Sequence, residues 1–152
     1  MAASAVTLYS ANKNHINTSD LAGATVKLAL ISSAYTPDVT VTGHSLFSSV
    51  SANEVAATGG YVAGGFTLGT PVSTSITGGF KFSSASPSIT ASGGSVPAWR
   101  YGVLYVSGTL WGLVNPLIGE FLGDSTPADI PATTVGNTLT INTPAGGWFD
   151  ET

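Results

Sequence analysis

The chain has 152 residues, no cysteine and a formal net charge of −4, and only 8% of its residues are charged. That length fits one domain able to bury about two thirds of its unfolded surface; the missing thiols exclude disulfide scaffolds, cysteine-based zinc sites, iron–sulfur clusters and thiol nucleophiles. Lys13, Lys27, Lys81 and Arg100 are outnumbered by eight carboxylates, so neither nucleic acid nor an anionic membrane surface is an expected direct partner.

The opening segment, MAASAVTLYSANKNH, has no basic stretch leading into an apolar core and does not read as a secretory signal. No apolar run reaches bilayer-spanning length, so synthesis in a cytoplasm is expected and Asn17-Thr18-Ser19 is a chance match to a glycosylation site. Residues 1–24 read as an N-terminal arm or a short helical segment, since Ala2 to Asp20 is polar and favours Asn and Thr over strong helix formers. Thr25 to Ile31, TVKLALI, alternates like a half-buried strand. Pro37 should end its pairing, because proline lacks the backbone donor. Leu46, Phe47 and Val50 have near-helical spacing, which predicts a short helix between Gly43 and Ala57 with Ser45 as its N-cap.

The stretch SANEVAATGGYVAGG, Ser51 to Gly65, raises the question of a phosphate-binding loop, because Gly59 and Gly64 are four residues apart. Such a loop needs Lys and then Ser or Thr next, and Gly65 and Phe66 stand there instead. The two Gly-Gly pairs are therefore read as sharp turns on either side of Tyr61 and Val62.

Beyond them, short strands are expected at Phe66 to Val72, Gly79 to Phe82 and Ser88 to Ala91. Trp99 to Val106, WRYGVLYV, puts Trp99, Tyr101, Val103 and Tyr105 on one face and Arg100, Gly102, Leu104 and Val106 on the other, an apolar balance that suits a central strand. Ser107-Gly108 reads as a hairpin linker into Thr109 to Val114. Residues 116–135, and Gly119 to Val135 in particular, read as a long Pro-rich loop, and Asn137 to Asn142 as the last full strand. An acidic tail, residues 150–152, follows Trp148-Phe149. The expected fold is mainly β: one compact antiparallel β-sandwich or barrel-like domain over residues 25–149, with one short helix and extended terminal segments.

No site residue is assigned. His15, His44, Asp124 and Asp129 are too scattered for a metal, and Asp124 and Asp129 lack the spacing of a calcium loop. There is no G-x-S-x-G elbow; Ser45 beside His44 reads as a cap, and Asp150-Glu151 as a solvated pair. No catalytic residue, cofactor or metal is expected, and the chain reads as non-enzymatic. Trp99, Tyr101, Trp111 and Trp148 could stack on a sugar, though their place among Val and Leu favours core packing.

The order VKLALISSAYTPD, FSSVSANEVAATGGYVAGGFTL, WRYGVLYVSGTLWGLV and NTLTINTPAGGWF resembles a group of small structural proteins of tailed bacteriophages across most of Thr25 to Phe149. The resemblance implies a capsid decoration or cement protein of the virion surface, bound to the major capsid protein and homo-oligomeric, a trimer being favoured by lattice symmetry. A tail or head-to-tail component, or a carbohydrate-binding β module on a host-recognition fibre, are the alternatives. Relatives of that group open with a helical segment, and the 116–135 loop is longer here than the group implies.

Overall fold

Two apolar runs make the centre of the fold. Val26–Ile31 and Tyr101–Val106 pair antiparallel along their whole length, from Val26 opposite Val106 to Ile31 opposite Tyr101, in the computed structural model, which describes residues 3–152. Residues 1 and 2 of the expected arm lie outside that range. Alternation sends Leu28, Leu30, Leu104 and Val106 to one face of the sheet and Ala29, Ile31, Val103 and Tyr105 to the other. Both faces are covered, so each fully buried leucine contributes about 1.5–3 kcal/mol.

The strands are β1 (Thr7–Leu8), β2 (Val26–Ile31), β3 (Phe66–Thr67), β4 (Val72–Ile76), β5 (Gly79–Ser83), β6 (Ser88–Thr90), β7 (Tyr101–Val106), β8 (Thr109–Leu110), β9 (Leu113–Val114), β10 (Leu117–Leu122), β11 (Thr138–Thr140) and β12 (Phe149–Glu151). A five-stranded sheet has the order β1-β10-β7-β2-β3, beside a three-stranded sheet β12-β5-β4 and the pairs β11-β6 and β8-β9. Every pairing is antiparallel. The chain is thus a mainly-β domain of several antiparallel sheets with one short α-helix, as its sequence predicts, and strands lie near both ends.

The helix is not where the spacing places it. α1 (Thr18–Ala22) follows Asn17, whose side chain accepts the N–H groups of Ser19 and Asp20 as an N-cap, and it comes after β1 and a 3-10 turn, Ser10–Asn12. Between Gly43 and Ala57 the chain makes only two 3-10 turns, Phe47–Ser49 and Ser51–Asn53. Ser45 is no cap there; its carbonyl accepts from Asn12 and from the Leu117 N–H.

Ser4 to Tyr9 is docked along β10. β1 pairs with β10, Tyr9 is fully buried, and the buried Asn12 amide donates to the carbonyls of Ser45 at 2.6 Å and Leu117 at 2.8 Å.

The expected loop at 116–135 gives way at its start to β10, which lies between β1 and β7. Pro116 and Gly119 disguise it. Gly119 sits where the register shifts, and a Cβ there would fall 2.5 Å from Val6, so glycine is what lets β1 approach. The hairpin after β7 also turns later than expected: Trp111 and Gly112, both at positive φ, join Leu110 to Leu113, and Ser107-Gly108 lies within the arm.

At the other end, Asp150 and Glu151 belong to β12 beside β5. The Glu151 carboxylate accepts from the Thr18 N–H at 3.0 Å and from its hydroxyl at 3.1 Å, fastening the chain end to α1.

Candidate functional site

The four aromatic residues singled out in the sequence are divided by the sheet. Strand β7 begins at Tyr101, so Trp99 leaves the Tyr101 face for the opposite core. There it stands edge-on to Phe121, with ring centroids 6.5 Å apart, while Trp148 stacks on Phe121 at 5.9 Å. With Ile130, Leu139 and Ile141 these rings line a cleft of about 320 Å³. Gly123 makes room for it, since a Cβ would meet the Trp99 ring at 2.7 Å.

Trp99 is 4% exposed and Trp148 5%, so neither offers the broad open face that sugar stacking uses. The Trp148 indole donates to Ser84 at 2.8 Å, whereas the buried Trp99 indole N–H has no acceptor. Tyr101 packs edge-on against Tyr35 on the far face. Trp111 lies at its turn, donating to Asp20 at 2.9 Å and stacking on His15.

The glycine-rich stretch forms a polar clasp rather than a phosphate cradle. Glu54 accepts from the Tyr61 hydroxyl and from the Gly64 N–H, each at 2.7 Å. The Tyr61 hydroxyl in turn accepts the Leu30 N–H at 2.9 Å, and the Tyr105 hydroxyl donates to the Gly64 carbonyl at 2.7 Å. Burial pushes both tyrosines up, Tyr105 to about 12, with the Glu54 charge adding to the shift. Gly65 lets this loop touch β2: a Cβ would fall 2.1 Å from the Leu28 carbonyl oxygen, and φ is +83°. Tyr61 therefore points inward, and Val62 beside it is the exposed residue.

A second polar chain lies on the Tyr101 face. The Tyr9 and Tyr35 hydroxyls are 2.8 Å apart, and Tyr35 is 3.0 Å from His44 Nδ1. Tyr9 has no other acceptor, so its proton goes to Tyr35, and Tyr35 has His44 Nδ1 as its second partner. Burial raises the Tyr9 pKa well above its ordinary value, helped by the Tyr35 hydrogen bond; burial also dominates the upward shift at Tyr35. Glu120 projects to this face from β10. Its carboxyl is pushed up by burial, and Oε2 has no hydrogen-bond partner. Sequence spacing could not reveal these contacts, because Tyr9, Tyr35 and Glu120 come together only through the order of the strands.

The remaining candidates stay apart. Asp124 caps its own turn by accepting from the Thr126 N–H and hydroxyl, which hold its carboxyl below the usual range. Asp129 instead pairs with Arg100 at 2.8 Å. Among the described residues no group of three or more His, Cys, Asp or Glu is placed to hold a metal ion, and no helix is long and apolar enough to cross a membrane. What Glu54, Glu151, Asp20 and Asp129 do chemically is fasten one segment to another. Compared with family models, curated proteins and solved structures, the chain matches none.

Proposed function

We propose that this chain is a structural protein of a tailed-bacteriophage virion, acting by binding, as a capsid decoration protein seated on the major capsid protein. The observation that carries the reading is where the polar side chains go. Glu54 holds the glycine loop, Glu151 holds α1, Asp20 holds the Trp111 turn, and Arg100 and Asp129 hold each other. These four carboxylates are used as fasteners, which suits a part whose task is to stay folded. Three exposed apolar residues, Val41, Val62 and Val135, lie outside the strands and offer contact points to neighbours. The motif order of the sequence points the same way.

The test is to add purified protein to intact shells of the encoding phage that lack it. Saturable binding with a higher shell melting temperature is expected. A protein that leaves such shells unbound and recovers instead with separated tails would move the assignment to a tail component.

A further inference from the structure

We propose that two copies of this chain pair through the free edge of β4, strand to strand, across a twofold axis at Thr74. This stands independently of the capsid reading. β4 is the outer strand of the sheet β12-β5-β4 and reads Val72-Ser73-Thr74-Ser75-Ile76. Edges of this length are ordinarily protected by a charge, a bulge or an internal proline. Here no charged residue occurs anywhere between Glu54 and Lys81, and Pro71 stands before the strand rather than within it.

The phase of the hydrogen bonds makes the edge self-complementary. The β4–β5 hairpin turns on Thr77-Gly78, so Ile76 and Gly79 close it as a hydrogen-bonded pair. Val72 and Thr74 then direct their backbone groups to β5, and Ser73 and Ser75 direct theirs outward. Among the described residues neither serine's backbone bonds to another element.

An antiparallel copy centred on Thr74 sets Ser73 against Ser75 of the second copy, and the reverse, so that each such pair exchanges both backbone bonds. The side chains agree with this register. Val72 meets Ile76, Thr74 meets Thr74, and serine meets serine, pairings of β-branched and hydroxyl residues that favour a sheet. The serines lie on the side that packs against α1, where the Ser73 hydroxyl donates to Thr18 at 2.8 Å. Val72, 45% exposed, would gain cover.

Charge does not oppose the contact. Lys81, opposite Thr74 on β5, is the nearest cation on that face, and the two copies of it would be roughly 14 Å apart at ordinary strand spacing, beyond a Debye length of about 8 Å. A ladder this short falls below the roughly 1,000 Å² of a permanent interface, so pairing is concentration-dependent.

The experiment uses the absence of native cysteine. At a non-hydrogen-bonded pair on the axis the Cβ atoms lie about 4.5–5.5 Å apart, so Thr74→Cys should form a covalent dimer under mild copper oxidation, far faster than Val41→Cys, an exposed control. Sedimentation should show wild-type dimers at high concentration and monomers for Thr74→Lys at an unchanged melting temperature, and mixing Thr74→Lys with Thr74→Glu should restore association. Crosslinking of Thr74→Cys no faster than of the control would overturn the proposal. So would a wild-type monomer at all concentrations, or an oligomer of any size that Thr74→Lys leaves intact.

Discussion

The hydroxyl of Tyr61 accepts the backbone N–H of Leu30 at 2.9 Å, taking the place of a strand that β3 is too short to supply. β3 covers only Lys27 and Leu28 of β2, and the next donor along that edge would otherwise be buried without a partner. Tyr61→Phe keeps the ring and removes the acceptor. It should destabilise the domain by about 2 kcal/mol, the usual cost of a buried donor left unpaired. Glu54→Ala should cost at least as much, since it strands the Gly64 N–H and the Tyr61 hydroxyl together. Native-state hydrogen exchange gives the site-specific reading: the Leu30 amide should lose protection in Tyr61→Phe, and unchanged protection there would refute this role.

Tyr9 and Tyr35 should respond unequally to the same change. Tyr9→Phe removes a donor and leaves Tyr35 bonded to His44, a loss of about 1 kcal/mol. Tyr35→Phe leaves the fully buried Tyr9 hydroxyl with nothing to donate to, at about 1–3 kcal/mol. Urea denaturation should therefore rank Tyr35→Phe below Tyr9→Phe, and the opposite ranking would mean that the proton runs the other way along the chain.

Much of the core was legible in the sequence, and the reason is period. Val26 to Ile31 and Tyr101 to Val106 alternate so that either face is apolar, and they are the two strands at the heart of the sheet. Local signals misled where a tertiary contact overrode them. Gly119 looks like a loop residue and is instead what lets β10 accept β1 beside it, and Pro116, which looks like a strand breaker, accepts the Val106 N–H through its carbonyl. Leu46 and Val50 have helical spacing, yet Leu46 bridges to Pro116 and the segment follows the sheet in two 3-10 turns. Thr18 to Ala22 has modest helix propensity, but Asn17 caps it and Glu151, far along the chain, completes it. The polar clasp escaped for a different reason: SANEV and GGY are near in sequence, but only the fold shows that Glu54 turns toward Gly64.

Glu120 should make stability depend on pH in the sense opposite to a paired carboxylate. Burial raises its folded-state pKa above the ordinary carboxylate value, so over the interval between the two the folded state holds the proton more tightly than the unfolded chain does. The stabilisation this supplies is complete below the ordinary carboxylate range and is lost as pH rises through the folded-state value. Glu120→Gln cannot ionise. At neutral pH its melting temperature should exceed that of the wild type, and the gap should close as pH falls into the ordinary carboxylate range. A gap that is constant with pH would mean that Glu120 is ionised without penalty.

Gly65 and Gly78 separate two reasons for glycine. Both have positive φ, +83° and +86°. At Gly78, in the β4–β5 turn, a Cβ would meet nothing within 4 Å, so Gly78→Ala carries only the backbone cost of about 1–2 kcal/mol. At Gly65 the same Cβ would fall 2.1 Å from the Leu28 carbonyl oxygen and 2.7 Å from Ala29 Cα, both of them backbone atoms of a central strand that has no rotamer to yield. Gly65→Ala must push the loop off β2, which pulls Gly64 from Glu54 and from Tyr105 and loses the clasp as well. It should cost more than about 4 kcal/mol, the range reserved for disruption of a packed network, and should lower the urea midpoint several-fold more than Gly78→Ala. Equal midpoints for the two variants would show that φ alone requires glycine there, and that the closeness of the loop to β2 is incidental.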